Sequence, residues 1–261
     1  MPAQPDHRPK GEPARYTFDD LLRVMAELRG PQGCPWDRAQ TPQSLRSFLL
    51  EETYELLDAL DRDDAAAIRE ELGDLLLQVV FQSQMAAEAG RFDARDVVDA
   101  LVRKLIARHP HVFGGERLDT PDEVLAHWYA AKRSARREPF DGIPRALPAL
   151  AAAQKVLERA GELGFRWPDA RAAAEQVRAE VAEVEEAAGP ARAAEEVGDL
   201  LLAAVALAVP LRVDAEQALR DATRRFVERF ARAQALAAAE GAPLESRTPA
   251  EMLAYWERAK R

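Results

Sequence analysis

Paired carboxylates at helical spacing are the residues of this sequence best suited to chemistry. Glu52 and Glu55 lie three residues apart, as do Glu71 and Asp74, so each pair falls on one face of a helix. The four side chains offer oxygen ligands without histidine or thiolate, and hard divalent cations such as Mg²⁺ prefer oxygen ligands. The spacing therefore predicts a metal site shared by two successive helices.

The same arrangement recurs in the second half of the chain. Glu180 and Glu183 follow the first pair by 128 residues, and Glu196 and Asp199 follow the second pair by 125 residues. A lone Glu-x-x-Glu pair is usually a solvated helix face, whereas recurrence of the whole set favours a site. The sequence thus predicts two versions of one template.

Apolar neighbours place these carboxylates on the inward faces of their helices. Phe48 and Leu49 precede Glu52 by one helical turn. An ionised carboxylate on an inward face is strongly disfavoured unless it is paired or bound to metal. The inner side of the second helix is predicted to consist of apolar residues at helical spacing: Ile68, Leu72, Leu75 and Val79.

Two glycines interrupt otherwise strong helices at equivalent places. Gly73 lies between Glu71 and Asp74, and Gly198 repeats it. Glycine in a helix costs about 1 kcal/mol relative to alanine. The repetition indicates close approach of another backbone or a ligand, although close helix packing alone would also account for it.

Basic and aromatic residues form a second repeated set. Cations and tryptophans recur in the same order, with offsets of 121 and 128 residues: Lys104, Arg108, Trp128 and Lys132, then Arg225, Arg229, Trp256 and Lys260. The cations could meet polyphosphate oxygens, and the tryptophans could stack on a base. Taken alone, Lys104 and Arg108 are more typical of a charge pair at a helix C-terminus, and the tryptophans of core anchors. Together with the carboxylates, they predict a magnesium-dependent nucleotide site.

Helical signals dominate the chain, and alternating β-branched runs are absent, so an all-α fold is predicted. The first helix is expected from Thr17 to about Arg29, followed by a loop that ends where Thr41 and Pro42 start a helix running to about Leu60. A helix ending near Arg108 leaves His109 and His111 in a turn. Further helices are expected to start at four capping residues: Asp93, Thr120, Asp214 and Thr248.

Composition limits the possible partners and compartment. The chain has 261 residues, 48% of them apolar, and a formal charge of −9, which argues against direct binding to nucleic acid. Cys34 is the only cysteine, so neither an intrachain disulfide nor a cysteine-rich zinc site is possible. The longest apolar run, 200–209, is too short to span a membrane. We expect a soluble, cytoplasmic protein.

The repeats and a proline-rich interval predict the domain boundaries. We expect a flexible tail (1–15), a first domain (16–132), a linker (133–148) and a second domain (149–261).

Several motifs together resemble the MazG family of nucleoside triphosphate pyrophosphohydrolases with two MazG-type repeats. They are CPWDRAQTPQSL, EETYELLDAL, EELGDLL, KLIARHPHVFG and AHWYAAKR, and the resemblance extends from about Tyr16 to Arg261. It implies two tandem helical repeats whose bundles are completed by dimerisation, and Mg²⁺-dependent hydrolysis of nucleoside triphosphates to monophosphate and diphosphate.

The family's functional residues transfer onto both repeats. Its catalytic metal carboxylates fall on Glu180, Glu183, Glu196, Asp199, Glu52, Glu55, Glu71 and Asp74. Its nucleotide contacts fall on Arg225, Arg229, Trp256 and Lys260, with Lys104, Arg108, Trp128 and Lys132 as first-repeat counterparts. The second repeat departs from the family pattern, since Ala179 replaces the carboxylate found at Glu51. This departure argues against equal metal binding by the two sites.

The expected mechanism is metal-assisted attack of water on the α-phosphorus, with one carboxylate accepting the proton. Mg²⁺ is the expected cofactor, with Mn²⁺ as a substitute, and base specificity is expected to be broad, as suits clearance of nucleotide pools. An alternative is that one repeat, with the first favoured, is a non-catalytic dimerisation or regulatory module. A third hypothesis, a helical scaffold with a basic partner, leaves the Trp-Lys repeats unexplained.

Overall fold

The computed structural model describes residues 15–115, 117–134, 137–241 and 243–260, and the side chains of 131–134 lie outside this description. Every regular element in these ranges is helical, which confirms the predicted all-α fold. No described helix is long and apolar enough to cross a membrane.

The chain forms two compact units, which divide between Trp128 and Tyr129. The division falls inside a helix, Pro121–Ser134, and lies near the predicted end of the first domain at residue 132. The predicted limits of the tail, at 1–15, and of the linker, at 133–148, stay predictions, and residues 1–14 lie outside the described ranges.

The first unit is built around a long central helix. Its helices are α1 (Phe18–Arg29), α2 (Pro35–Ala39), α3 (Arg46–Asp61), α4 (Ala65–Glu88), α5 (Ala94–Arg108), α6 (Pro110–Phe113) and the first half of α7 (Pro121–Ser134). Helix α4 packs against α1, α3 and α5. The core comprises Met25, Leu45, Val80, Phe81 and Met85.

The second unit also contains a helical hairpin. Its further helices are α8 (Ala149–Glu162), α9 (Ala170–Glu186), α10 (Pro190–Ala208), α11 (Ala215–Ala239), a short 3₁₀ helix (Leu244–Ser246) and α12 (Pro249–Arg258). Helix α9 packs against α10, α8 contacts both α10 and α11, and α11 packs against α12. A second core lies between α11 and α12 and includes Ala233, Leu244 and Tyr255.

Side-chain caps begin the helices where the sequence predicts them. Thr17, Asp93 and Thr248 form reciprocal capping boxes, and Thr120 exchanges the same two hydrogen bonds with Glu123. Such caps satisfy backbone N–H groups that have no partner within the helix. Asp214 likewise caps α11.

The start of α3 was predicted four residues too early, and α2 was missed. Thr41 and Ser44 exchange backbone-to-hydroxyl hydrogen bonds of 3.0 and 3.1 Å, which close a separate turn before the helix. Helix α3 therefore begins at Arg46 rather than Pro42. The five residues of α2 were expected to be a loop because proline and polar residues mask so short a helix.

The predicted inner face of α4 is partly wrong. Leu72 and Val79 are 52% and 45% exposed, whereas Val80 and Phe81 are buried. The core cluster contacts the second half of α4, whereas Ile68 and Leu75 in its first half are half-buried. A Cβ added at Gly73 or Gly198 would meet nothing within 4 Å, so close helix packing among the described residues does not explain these glycines, and approach of a ligand or of another chain stays a prediction.

Candidate metal and nucleotide sites

The α3–α4 hairpin brings three of the predicted carboxylates of the first unit together. Oxygen atoms of Glu52 and Glu55, from α3, and of Glu71, from α4, all lie within 4.8 Å of one another. We call these three residues the first cluster. Asp74 lies outside this closest group, although its charge acts on both Glu52 and Glu71.

The first cluster is short of positive charge. Desolvation raises the pKa of Glu52 above its ordinary value, and repulsion from Asp74, Glu55 and Glu71 adds to the effect. Desolvation and repulsion from Glu55 and Asp74 raise the pKa of Glu71 in the same way. Carboxylates that repel one another at this separation favour a bound cation. Three convergent carboxylates therefore fit a divalent metal ion.

The α9–α10 hairpin forms the equivalent second cluster. Glu180 and Glu183, from α9, and Glu196, from α10, again have oxygen atoms within 4.8 Å of one another. Glu196 is only 2% exposed, which makes it one of the largest fully buried side chains among the described residues. Asp199 is exposed and lies outside this closest group.

An arginine that the sequence reasoning missed accompanies the second cluster. One Arg192 Nη atom forms an ion pair with the buried carboxylate of Glu196, and the other donates to Glu195 over 3.1 Å. Glu195 and Glu196 also raise the pKa of Arg192 further above its ordinary value. The signal was available, because arginine four residues before glutamate is a common helical ion-pair spacing.

Each unit also pairs a predicted arginine with a predicted tryptophan. The guanidinium carbon of Arg108 lies 5.4 Å from the ring centre of Trp128, and that of Arg229 lies 5.1 Å from that of Trp256. These distances are typical of cation–π contacts. Among the described residues, neither arginine forms an ion pair with the carboxylate clusters.

The other predicted nucleotide contacts are less organised. Lys104 and Arg225 are exposed, and Lys260 forms an ion pair with Glu257 at 2.5 Å. The side chain of Lys132 lies outside the described residues. Among the described residues, the structure thus brings together the arginine and tryptophan of each set.

Helix α12 is held in place by charged contacts that position Trp256. The Tyr255 hydroxyl and an Arg258 N–H each donate to Glu240 at the end of α11, both over 2.6 Å. Arg258, followed by Tyr255, lowers the pKa of Glu240 to about 2. Beside this contact, the ring of Trp256 packs against that of Phe226, with 4.7 Å between the ring centres. Both rings line an apolar pocket of about 310 Å³.

Comparison with known proteins gives consistent results. A family model described as "MazG nucleotide pyrophosphohydrolase domain" matches residues 40–113, which include all of the first cluster. The chain is 43% identical over 250 residues to "Nucleoside triphosphate pyrophosphohydrolase/pyrophosphatase MazG" of Thermotoga maritima, covering 95% of this chain and 97% of the relative. It is 42% identical over 255 residues to "Nucleoside triphosphate pyrophosphohydrolase" of Escherichia coli K12, covering 94% of this chain and 97% of the relative.

Proposed function

Since the chain belongs to the MazG family of nucleotide pyrophosphohydrolases, we propose that it hydrolyses nucleoside triphosphates to nucleoside monophosphate and inorganic diphosphate. One observation indicates which residues would bind the metal for this reaction. Each unit presents three carboxylates from one helical hairpin with oxygen atoms within 4.8 Å of one another. Mg²⁺ commonly binds through a few carboxylates together with water and substrate phosphate, so it is the proposed cofactor.

The reaction assigns separate tasks to the two repeated sets of residues. Mg²⁺ held by the carboxylates would neutralise phosphate charge and increase the acidity of water. One carboxylate of the cluster accepts the proton of the water that attacks the α-phosphorus, and the bond to the diphosphate breaks. Arg225 and Arg229, or Lys104 and Arg108, offset the negative charge of the leaving diphosphate.

Broad base specificity is proposed from the way the tryptophans are held. Trp256 is half-buried, with Arg229 over its ring and Phe226 beside it. Every base has a π-face, so stacking on tryptophan discriminates weakly among bases. The formal charge of −9 supports free nucleotides rather than nucleic acid as the partners.

We also propose a homodimer. Large apolar side chains are exposed at equivalent positions on α4 and α10 and on α5 and α11: Leu72 and Val197, Leu76 and Leu201, Leu105 and Phe226, Ile106 and Val227. Long apolar helix faces open to water are unfavourable, and a second copy of the chain would cover them. This supports bundles that are completed between two chains.

The alternative is that one repeat, with the first favoured, is a non-catalytic dimerisation or regulatory module. The clusters differ in charge, because Arg192 accompanies only the second, so equal activity is not expected. Separate Glu71→Gln and Glu196→Gln variants assign the active repeat. If both variants keep full activity, the metal-site assignment is wrong.

Product analysis tests the proposed reaction directly. The purified protein would be incubated with each nucleoside triphosphate and Mg²⁺, and the products separated by ion-exchange chromatography. We expect nucleoside monophosphate and inorganic diphosphate in equal amounts, and neither product with excess chelator. Release of orthophosphate with a nucleoside diphosphate, or no turnover, would contradict the proposal. The latter outcome would favour the helical scaffold.

A further inference from the structure

We propose that Arg192 is the counter-ion of Glu196 in the metal-free second cluster, so that a divalent cation must displace Arg192 from Glu196 in order to bind. The first cluster lacks an equivalent cation. The inference rests on the proposed metal sites. It predicts that the two clusters bind metal at different metal concentrations because only the second contains Arg192.

The position of Arg192 in its helix is informative. It is the third residue of α10, which begins at Pro190, so its charge lies in the first helical turn. A cation there opposes the helix dipole, which favours negative charge at a helix N-terminus. The carboxylates of Glu195 and Glu196, which form ion pairs with Arg192, offset this unfavourable interaction.

Burial makes the contact with Glu196 the more consequential one. The Glu196 side chain is 2% exposed, whereas the Arg192 side chain is 57% exposed. A buried ionised carboxylate without a counter-charge is strongly disfavoured, so an ionised Glu196 needs either this guanidinium or a metal ion beside it. The guanidinium and the metal ion would bind the same Glu196 carboxylate, and they therefore compete.

The first unit provides a natural comparison. Ala67 is the third residue of α4, just as Arg192 is the third residue of α10. The two acidic neighbours are retained, because Glu70 and Glu71 correspond to Glu195 and Glu196. Only the cation is missing, and repulsion among the remaining carboxylates contributes to the raised pKa of Glu71.

A different order of metal loading follows. The first cluster gains relief from repulsion when a cation binds, whereas the second must first give up an ion pair. Displacing a charge-assisted hydrogen bond at a buried carboxylate should weaken apparent metal affinity by roughly tenfold. We therefore expect the first cluster to fill at lower metal concentration than the second.

Mn²⁺ binding tests the proposal without an activity assay. Free Mn²⁺ would be measured by electron paramagnetic resonance during titration of full-length Glu71→Gln protein, in which only the second cluster is intact. Adding Arg192→Ala should tighten Mn²⁺ binding roughly tenfold, and Arg192→Lys should leave it weak because the charge is kept. Arg171→Ala is the matched control. It removes a charge from the start of α9, nine residues or about 13 Å along the helix from Glu180, and should change nothing.

A transplant provides the reciprocal test. In Glu196→Gln protein, where only the first cluster is intact, Ala67→Arg should weaken Mn²⁺ binding roughly tenfold, because Glu70 and Glu71 stand where Arg192 finds its partners. Circular dichroism would verify that each variant keeps its helical content. An Ala67→Gln variant controls for side-chain size and should have little effect.

The possible outcomes separate this inference from the proposed function. If Glu71→Gln and Glu196→Gln each remove one class of Mn²⁺ sites but Arg192→Ala leaves the remaining affinity unchanged, the counter-ion proposal is wrong and the metal sites stand. If neither glutamine substitution changes Mn²⁺ binding, the metal sites themselves are wrong. Looser binding in Arg192→Ala would also overturn the proposal, because it would make Arg192 a support rather than a competitor.

Discussion

Glu71 and Glu196 show how one residue type at equivalent helix positions meets different conditions. Glu196 is buried against Arg192, whereas Glu71 faces Glu55 and Asp74. Arg192 compensates the charge of the buried Glu196, whereas the carboxylates around Glu71 repel one another. Removing a carboxylate therefore has opposite consequences for stability in the two units.

Glu71→Gln should raise the melting temperature of the metal-free protein by a few degrees and reduce further stabilisation by Mg²⁺, because only the second cluster then remains to bind it. The raised pKa of Glu71 means that the folded state disfavours its ionised form. Stability should therefore fall as pH rises from the ordinary value through the raised pKa, and be lowest above it. Thermal unfolding at several pH values, with Mg²⁺ or with chelator, measures both effects.

A matched control for this variant is Glu27→Gln, which removes an exposed carboxylate from α1. It should change neither the metal-free stability nor the gain on adding Mg²⁺. Loss of metal-free stability in Glu71→Gln would show that desolvation and repulsion do not disfavour the ionised Glu71 in the folded state.

Trp256→Ala should raise KM for nucleoside triphosphates roughly tenfold with a smaller effect on kcat, because base stacking contributes about 1–3 kcal/mol. Trp256→Phe, which retains a π-face, should lose less. Since Trp256 also packs on Phe226, near-ultraviolet circular dichroism should accompany the kinetics. An unchanged KM in Trp256→Ala would remove this residue from the substrate site.

At the scale of elements, Arg29 joins three helices of the first unit. Its side chain at the end of α1 is 9% exposed and donates to both oxygens of Glu88 at the end of α4, at 2.7–3.1 Å. It also donates to the backbone carbonyls of Asp37 and Gln40, on either side of the end of α2. One guanidinium thus fixes the loop between α1 and α3.

Arg29→Ala should lower the free energy of unfolding by about 2–4 kcal/mol, less than for a fully buried pair because Glu88 is partly exposed. Hydrogen bonds from Arg29 lower the pKa of Glu88, so this stability is present above the ordinary pKa of glutamate and is lost as pH falls through the lowered value. Urea denaturation at neutral and acidic pH measures both, and Arg23→Ala, at an exposed pair, is the control. Equal losses in the two variants would contradict the joining role.

The elements were predictable from sequence where a single local interaction decides them. Thr17 and Thr248 could be identified as caps because each cap forms within four residues. The start of α3 could not, because Thr41 and Ser44 form a competing local turn. Likewise, periodicity marked the apolar stripe of α4, but burial depends on which neighbour covers it, and Leu72 remains exposed.

The candidate site shows the same limit. Spacing predicted that Glu52, Glu55 and Glu71 lie close together, and they do, because the two helices pack as a hairpin. It could not separate Asp74 and Asp199 from the closest groups, since this depends on how far each helix turns relative to its partner. The role of Arg192 depends on the burial of Glu196, which no sequence spacing reveals.

At the scale of the whole molecule, apolar helix faces are exposed, and we expect a second copy of the chain to cover them. Leu201 on α10 is 51% exposed and is repeated by Leu76 on α4. In solution the wild-type protein should therefore have about twice the 28.9 kDa mass of one chain. Sedimentation equilibrium or light scattering coupled to gel filtration measures this mass.

Leu201→Glu should shift this equilibrium towards the single chain, because a charge placed in an apolar contact must be desolvated without a partner. Leu163→Glu, a substitution at a comparably exposed residue after α8, should leave the dimer intact. The comparison distinguishes loss of a specific contact from a general effect of added negative charge, since both variants carry the same net charge. A wild-type mass of one chain would refute the dimer, and equal dissociation of the two variants would refute its assignment to α10.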